Sequence, residues 1–248
     1  MRADLMNTKE QLCSLGFPCE GLHSGFLPFF TAERLTQLAD IAALIREKAF
    51  FPRAEYVLRF AETDPAALRC VIVGMDPYPS HTVGPAGEIV PEATGRSFEV
   101  ASVTDWGGKY RQASLRNILK AIYFKERGRV PTMEDLRTEL SDGDFPILPP
   151  RKWWESLTGQ GVLFLNASLT VRPAEPGSHT DLWDGFVTDL MTFLAQSSPD
   201  AVWLLWGNVA QARVPAAVTR KICSSHPRLP QFVTECPFAQ LPGINWLG

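Results

Sequence analysis

No apolar run in the 248 residues approaches the roughly 20 needed to cross a bilayer. The first residues, MRADLMNTKEQLCSLGFPCEG, hold no uninterrupted apolar segment after their charges, so no secretory leader is expected. Cysteine is scarce: positions 13, 19, 70, 223 and 236, with no CxxC pair. An odd number without paired spacing argues against a disulfide framework and offers no zinc or iron–sulfur pattern. Reduced thiols in a cytoplasmic protein are expected instead. No glycine-rich phosphate loop of Walker or dinucleotide type occurs, which sets aside a nucleotide-binding module. Internal repeats and low-complexity tracts are also lacking. Nor is there a global excess of positive charge: the net charge is −3, which excludes a basic coat for nucleic acid.

What remains is an ordinary globular composition, 45% hydrophobic and 21% charged, long enough for one sizeable α/β domain. One region departs from the acidic average. Residues 105–129, DWGGKYRQASLRNILKAIYFKERGR, carry seven Lys/Arg against Asp105 and Glu126. Within it Leu115, Ile118, Leu119, Ile122 and Tyr123 recur on one helical face, leaving Arg116 and Lys120 on the other. Alone, such a helix reads as an amphipathic element with a solvated face; a DNA-facing role gains weight only from other features.

Along the chain, a helix is predicted over 32–48, a strand over 70–75 and a loop over 79–97 rich in proline and glycine. A loop of that length in a small domain is commonly functional. The basic helix (114–126), an acidic helix (132–140) and a helix from about 151 follow. Then come a strand over 161–171, a helix over 178–196, a strand over 201–207 and a helix opened by Asn208. A fourth short apolar segment falls within 220–230. Strands alternating with helices predict a single α/β domain with a short parallel four-stranded sheet covered on both faces. Residues 31–248 are assigned to that domain and residues 1–30 to an N-terminal extension without interpretable signal.

Ligands of open parallel sheets bind beyond the carboxyl ends of the strands. The residues that follow the predicted strands are Asp76, Asn166, Gly207-Asn208 and His226. Each has an ordinary structural explanation: a turn before proline, a satisfied buried amide, a cap on the sheet. A carboxylate, an amide and an imidazole converging on one edge from distant parts of the sequence instead describe a catalytic pocket.

GMDPY, LFLNASLTV, WLLWGNVAQ and SSHPRLP together resemble the successive motifs of the uracil-DNA glycosylase family, in the family's order. The likeness extends over roughly residues 50–240. It implies hydrolysis of the N-glycosidic bond of a flipped-out pyrimidine nucleotide, leaving an abasic site, by a monomer that needs no metal or other cofactor. Asp76 would stabilise the oxocarbenium-like sugar and orient water, and His226, as a neutral imidazole, would support the departing base. Asn166 would read the base edge, Phe98 in RSFEV would stack on the base, and Tyr78 and Met75 would face its 5-position. Ser114, Ser178, His179 and Ser225 lie in stretches that would hold DNA phosphates, and Arg228, Leu229 and Pro230 in the stretch that would fill the gap in the duplex. DNA is therefore the expected partner.

The first motif departs from the family pattern GQDPYHG. Met75 replaces its glutamine, and Pro79 and Ser80 stand where histidine and glycine are expected. The segment from Asp76 to Phe98 is also longer than the family pattern, and Arg228 replaces a small serine ahead of the wedge leucine. Two substrates stay open: uracil, by family precedent, or a cytosine with a bulky C5 group in foreign DNA, which would make the activity a defence. A catalytically idle DNA-binding relative is the alternative of another class.

Overall fold

The computed structural model describes residues 2–248. Nine α-helices are formed among them: α1 Arg2–Ser14, α2 Ala32–Ile45, α3 Ala54–Val57, α4 Ala113–Arg127, α5 Met133–Asp142, α6 Pro150–Gly159, α7 Thr180–Ser197, α8 Asn208–Arg213 and α9 Gln231–Glu235. The strands are β1 Cys70–Gly74, β2 His81–Val83, β3 Ile89–Pro91, β4 Val162–Asn166, β5 Val202–Trp206 and β6 Lys221–Ser224.

Four of these strands make one parallel sheet in the order β4-β1-β5-β6. Side chains of a strand point alternately to opposite faces, so a strand covered on both sides must be apolar at every position. β1 and β4 are buried throughout for this reason. Val71, Val73, Leu163, Leu165, Trp203 and Leu205 face one core, closed by Leu38 of α2 and Trp183, Phe186 and Leu190 of α7. Cys70, Ile72, Val162, Phe164, Leu204 and Trp206 face the other, closed by Ile118 and Ile122 of α4, Trp153 and Trp154 of α6, and Phe238 and Trp246 near the C-terminus. Burial of each such side chain contributes about 1.5–3 kcal/mol.

The N-terminal residues belong to the first core. Leu12, Phe17, Leu22, Phe26 and Phe29 are all buried there, with the Phe17 ring 6.1 Å from Trp183 and Phe29 5.3 Å from Phe186. Helix boundaries follow local chemistry. Thr31 caps α2 by accepting from Arg34 N–H at 3.3 Å, and Thr132 with Asp135 forms a reciprocal capping box at α5.

Two expectations are corrected. The strand expected over 161–171 stops at Asn166: Ala167 and Ser168 still donate to the carbonyls of Gly74 and Met75, both at 2.9 Å, but Ser168 Oγ then turns onto Thr170 O at 2.9 Å and the chain bends away. The expected loop 79–97 contains an antiparallel hairpin, β2 with β3, in which Val83 pairs with Ile89. Its foot closes where Glu92 N–H meets Ser80 O at 3.0 Å. Val83 and Ile89 are 69% and 57% exposed, so the hairpin stands off the body instead of packing into it.

Candidate active site

The parallel register puts the carboxyl ends of all four strands on one edge. Gly74 pairs with Asn166, Val73 with Leu205, and Trp206 with Ser224. Asp76 lies two residues beyond β1, His226 two beyond β6, and Asn166 closes β4. The edge thus gathers the carboxylate, the amide and the imidazole that the sequence placed at strand ends.

Asn166 is 3% exposed. Its amide lies across the backbone of β1: a Cβ added to Gly74 would sit 2.6 Å from Asn166 Oδ1 and 2.7 Å from the Cβ of Ser97. Glycine is therefore required at 74 by close approach. Gly74→Ala is expected to displace the amide and lower any activity that depends on it at least tenfold. Steady-state rates beside a circular dichroism melt check this; a folded, fully active variant would detach Asn166 from the function.

Asp76 is partly buried, and its Oδ2 accepts the Gly177 N–H at 2.7 Å. Burial raises its pKa above the usual carboxylate value, while the Gly177 hydrogen bond and the charge of Arg213 pull the other way. The segment bearing Gly177 is itself anchored. Ala174 N–H donates to Pro79 O at 2.9 Å, and Arg172 N–H to Ser178 Oγ at 2.8 Å. The Arg172 guanidinium donates to Ile45 O (2.6 Å), Lys48 O (2.5 Å), Ala49 O (3.1 Å) and Leu44 O (3.2 Å), at the carboxyl end of α2. Gly177 and Arg172 are supports that sequence reasoning missed, since their partners lie roughly a hundred residues away or more.

His226 accepts the Arg228 N–H on Nδ1 at 3.1 Å. In the neutral ring this puts the proton on Nε2, which makes that nitrogen a donor. Burial first, and then the charge of Arg228, lower the imidazole pKa, so the neutral form is favoured. Gly207, at φ 90°, lets the chain pass within 2.9 Å of His226 Cβ, measured from where a Cβ on 207 would lie.

Phe98 joins the same edge. Its ring centroid is 5.0 Å from Trp206 and 6.2 Å from His226. Its φ of 63° is left-handed, a conformation that costs a bulky residue roughly 1–3 kcal/mol and is held only by firm surroundings. Ser97 supplies them below, with N–H to Phe164 O at 3.3 Å and Oγ to Ile72 O at 3.2 Å. Glu99 supplies them above, receiving Thr94 Oγ1 at 2.6 Å and pairing with Arg96 and Arg59. Trp206 was not singled out from the sequence, although it ends the strand WLLW.

Tyr78, like Phe98, packs against the second core, and burial followed by the charge of Glu92 raises its phenol pKa. Met75 is 42% exposed. Ser178, Arg228, Leu229 and Pro230 are also exposed, and Ser114 is half-buried on the first turn of α4. Asn117, on the same helix face as Ser114, donates to Pro227 O at 2.6 Å and Leu229 O at 3.3 Å, fixing the segment 227–229 against α4.

Two residues expected near phosphates have partners within the chain. His179 is 2% exposed, with Nδ1 2.8 Å from Thr170 Oγ1, which also receives Trp183 Nε1 at 2.7 Å. Burial and the charge of Arg172 lower its pKa to about 4, so it serves as a neutral internal brace. Ser225 spends both N–H and Oγ on the Glu235 carboxylate, each at 2.6 Å, and that negative charge repels a phosphate. A cavity of about 350 Å³ lined by Tyr56, Val90, Glu99 and Trp154 contains none of Asp76, Asn166 and His226.

Fold and site together define an α/β protein with an acid, an amide and an imidazole held at one sheet edge. The family model described as the uracil DNA glycosylase superfamily matches residues 60–234, and the chain belongs to that superfamily. It is 31% identical over 200 residues to a uracil-DNA glycosylase of Idiomarina loihiensis, covering 79% of this chain and 76% of that one. To uracil-DNA glycosylase 2 of Streptomyces avermitilis it is 30% identical over 221 residues, covering 86% and 82%. A uracil-DNA glycosylase of Amoebophilus asiaticus is 34% identical over 164 residues, which cover 64% of this chain and 60% of the relative. The crystal structure of wild-type UNG from Nitratifractor salsuginis shares the fold, with a TM-score of 0.67, 22% identity and 93% of each chain covered.

Proposed function

We propose that the chain is a monofunctional DNA N-glycosylase acting on a flipped-out pyrimidine nucleotide, with DNA as partner and no cofactor in the reaction. The observation that carries this reading is the convergence of Asp76, Asn166 and His226 on one sheet edge with Phe98 beside them. The bond from C1′ to N1 breaks with its electron pair leaving on the base. The Asp76 carboxylate stabilises the positive sugar and directs water onto C1′, and the water's proton passes to the carboxylate. His226, donating from Nε2, stabilises the negative charge that spreads to the base O2. Asn166 pairs with the N3/O4 edge, and Phe98 offers the stacking face.

Uracil is the first base assigned, because Asn166 and Tyr78 stand in the motifs that resemble those of the uracil-DNA glycosylase family. One observation favours a second base. The hairpin β2–β3 springs from Pro79 and Ser80, immediately after the residue assigned to the 5-position, which supports a changed wall where a C5 substituent would point. A cytosine with a bulky C5 group is the substrate that such a change would suit, and its removal from invading DNA would be a defence activity.

The test is alkali cleavage of two DNAs, one containing uracil and one carrying bulky C5-modified cytosines, with wild type and Asp76→Asn. Cleavage of the uracil strand alone makes the hairpin neutral to specificity. Cleavage of modified DNA alone makes it the specificity device. No abasic site in either, with Asp76→Asn retaining wild-type DNA binding, replaces the glycosylase by a binding protein.

A further inference from the structure

We propose that the cavity of about 350 Å³ walled by the Phe98 loop is a second ligand site, built for a small aromatic anion of mononucleotide size.

Three parts of the chain enclose it: Arg53, Tyr56 and Arg59 at α3, the stretch after β3 that carries Thr94 and Glu99, and Arg151 with Trp154 on α6. Its volume lies within the range of roughly 300–1,000 Å³ usual for small-molecule sites. It shares no residue with the set Asp76, Asn166 and His226, so the proposed reaction leaves it without a use.

Charge selects the sign of the ligand. Three arginines line the cavity against one carboxylate, in a chain whose net charge is −3. That carboxylate, Glu99, is already answered: it is buried, with Arg96 at 3.4 Å and Arg59 at 3.6 Å. Among the described residues Arg53 forms no ion pair. Arg151 meets Glu155 at 3.1 Å in an exposed pair of little strength, so its charge stays available. Two exposed guanidiniums on one cavity suit the oxygens of a phosphate.

The lining selects the body. Val90, Pro91, Val100 and Trp154 offer apolar surface, while Tyr56 and Thr104 bring hydroxyl groups. An alkyl chain would desolvate those hydroxyls and the guanidiniums without return. A heteroaromatic ring satisfies both, giving its face to the apolar wall and its edge atoms to the hydroxyls.

Occupancy bears on Phe98. One wall of the cavity is the loop that holds Phe98 at its left-handed φ of 63°. That loop closes on itself through Ala101 N–H to Glu92 O at 2.9 Å and the bridge of Ala93 with Val100. It is tied to the neighbouring wall where Arg59 Nη1 donates to Thr94 O at 2.8 Å. A ligand seated among α3, α6 and this loop braces all three, and a strained backbone persists only where its surroundings are firm.

Binding of 2′-deoxyadenosine 5′-monophosphate to the full chain is measured by calorimetry, with inorganic phosphate and 2′-deoxyadenosine as partial probes. One nucleotide per chain is expected, with each partial probe weaker by about tenfold or more. Arg53→Gln with Arg151→Gln should lower nucleotide affinity about tenfold. Ala101→Trp, which fills the cavity from an exposed position without touching a charge, should abolish binding. Asn166→Asp, at the sheet edge, should leave the affinity unchanged. Hydrogen exchange over residues 93–101 should slow when the nucleotide is added. Absence of saturable binding, phosphate binding as tightly as the nucleotide, affinity unmoved by both cavity variants, or a loss confined to Asn166→Asp overturns the assignment. Circular dichroism melts of the variants separate a folding failure from loss of the site. None of these readouts depends on base release, so the result stands apart from the glycosylase reading.

Discussion

Asp76→Asn is expected to lower the single-turnover rate of base release by roughly 10²–10⁴-fold while leaving DNA affinity equal or improved. The amide keeps the shape and one acceptor for Gly177 N–H but loses the charge that opposes the developing sugar cation. Affinity holds because a carboxylate beside phosphates repels them. A further expectation follows from the raised pKa. Burial makes the folded chain hold the Asp76 proton more tightly than the unfolded chain does. The contribution to stability is thus fully present below the ordinary carboxylate pKa and is lost as pH rises through the folded one. At neutral pH the ionised carboxylate therefore costs stability, and Asp76→Asn should melt higher than wild type at pH 7 but not at pH 3. Wild-type activity should in turn fall on the acid side at a pH above the usual carboxylate range. An unchanged rate in Asp76→Asn would leave the glycosylase chemistry without its central group.

His226→Ala is expected to slow base release by about 10²–10³-fold, the scale for losing one donor to a developing oxyanion. The structure predicts the form of the donor as well as its presence. Because Nδ1 accepts the Arg228 N–H, the ring donates from Nε2 while neutral. Burial and Arg228 hold its pKa below the ordinary imidazole value, so no loss of rate should accompany deprotonation near pH 6.5. His226→Gln, which retains an N–H donor, should recover part of the loss. Nuclear magnetic resonance of the imidazole nitrogens across pH 5–8 checks the tautomer directly. A ring that stays charged through pH 7 would contradict the proposed role.

The architecture was legible where burial on both faces forces unbroken apolar runs, as in Val71-Ile72-Val73 and Leu163-Phe164-Leu165. The strand ends were legible for the same reason, since a polar group closing such a run stands out. Asp76, Asn166 and His226 could therefore be placed on one edge before any coordinates. The hairpin could not be read, because His81-Thr82-Val83 is exposed on every residue and carries no hydrophobic period. Phe17, Phe26 and Phe29 gave no warning of joining the core, because they arrive in turns that have no repeat. His179 and Ser225 looked available because the groups that occupy them, Thr170 and Glu235, are invisible to a reading of local motifs. The same blindness applied to the basic stretch, in which a partner such as Glu139, held against Arg127 and Arg129, decides which cations remain unpaired.

The hairpin's attachment bears on how such an enzyme changes its substrate over generations. It touches the body chiefly at its foot, through Ser80 with Glu92, Pro79 with Ala174, and the Phe51 ring 5.9 Å from His81. Closing a loop costs free energy that grows only with the logarithm of length, about 0.6 kcal/mol per doubling. Insertions at its tip therefore leave the Asp76–Gly177 clamp and both cores untouched. On the proposed reading the hairpin is an exchangeable cassette, which could diverge with the target while the proposed hydrolytic centre is kept.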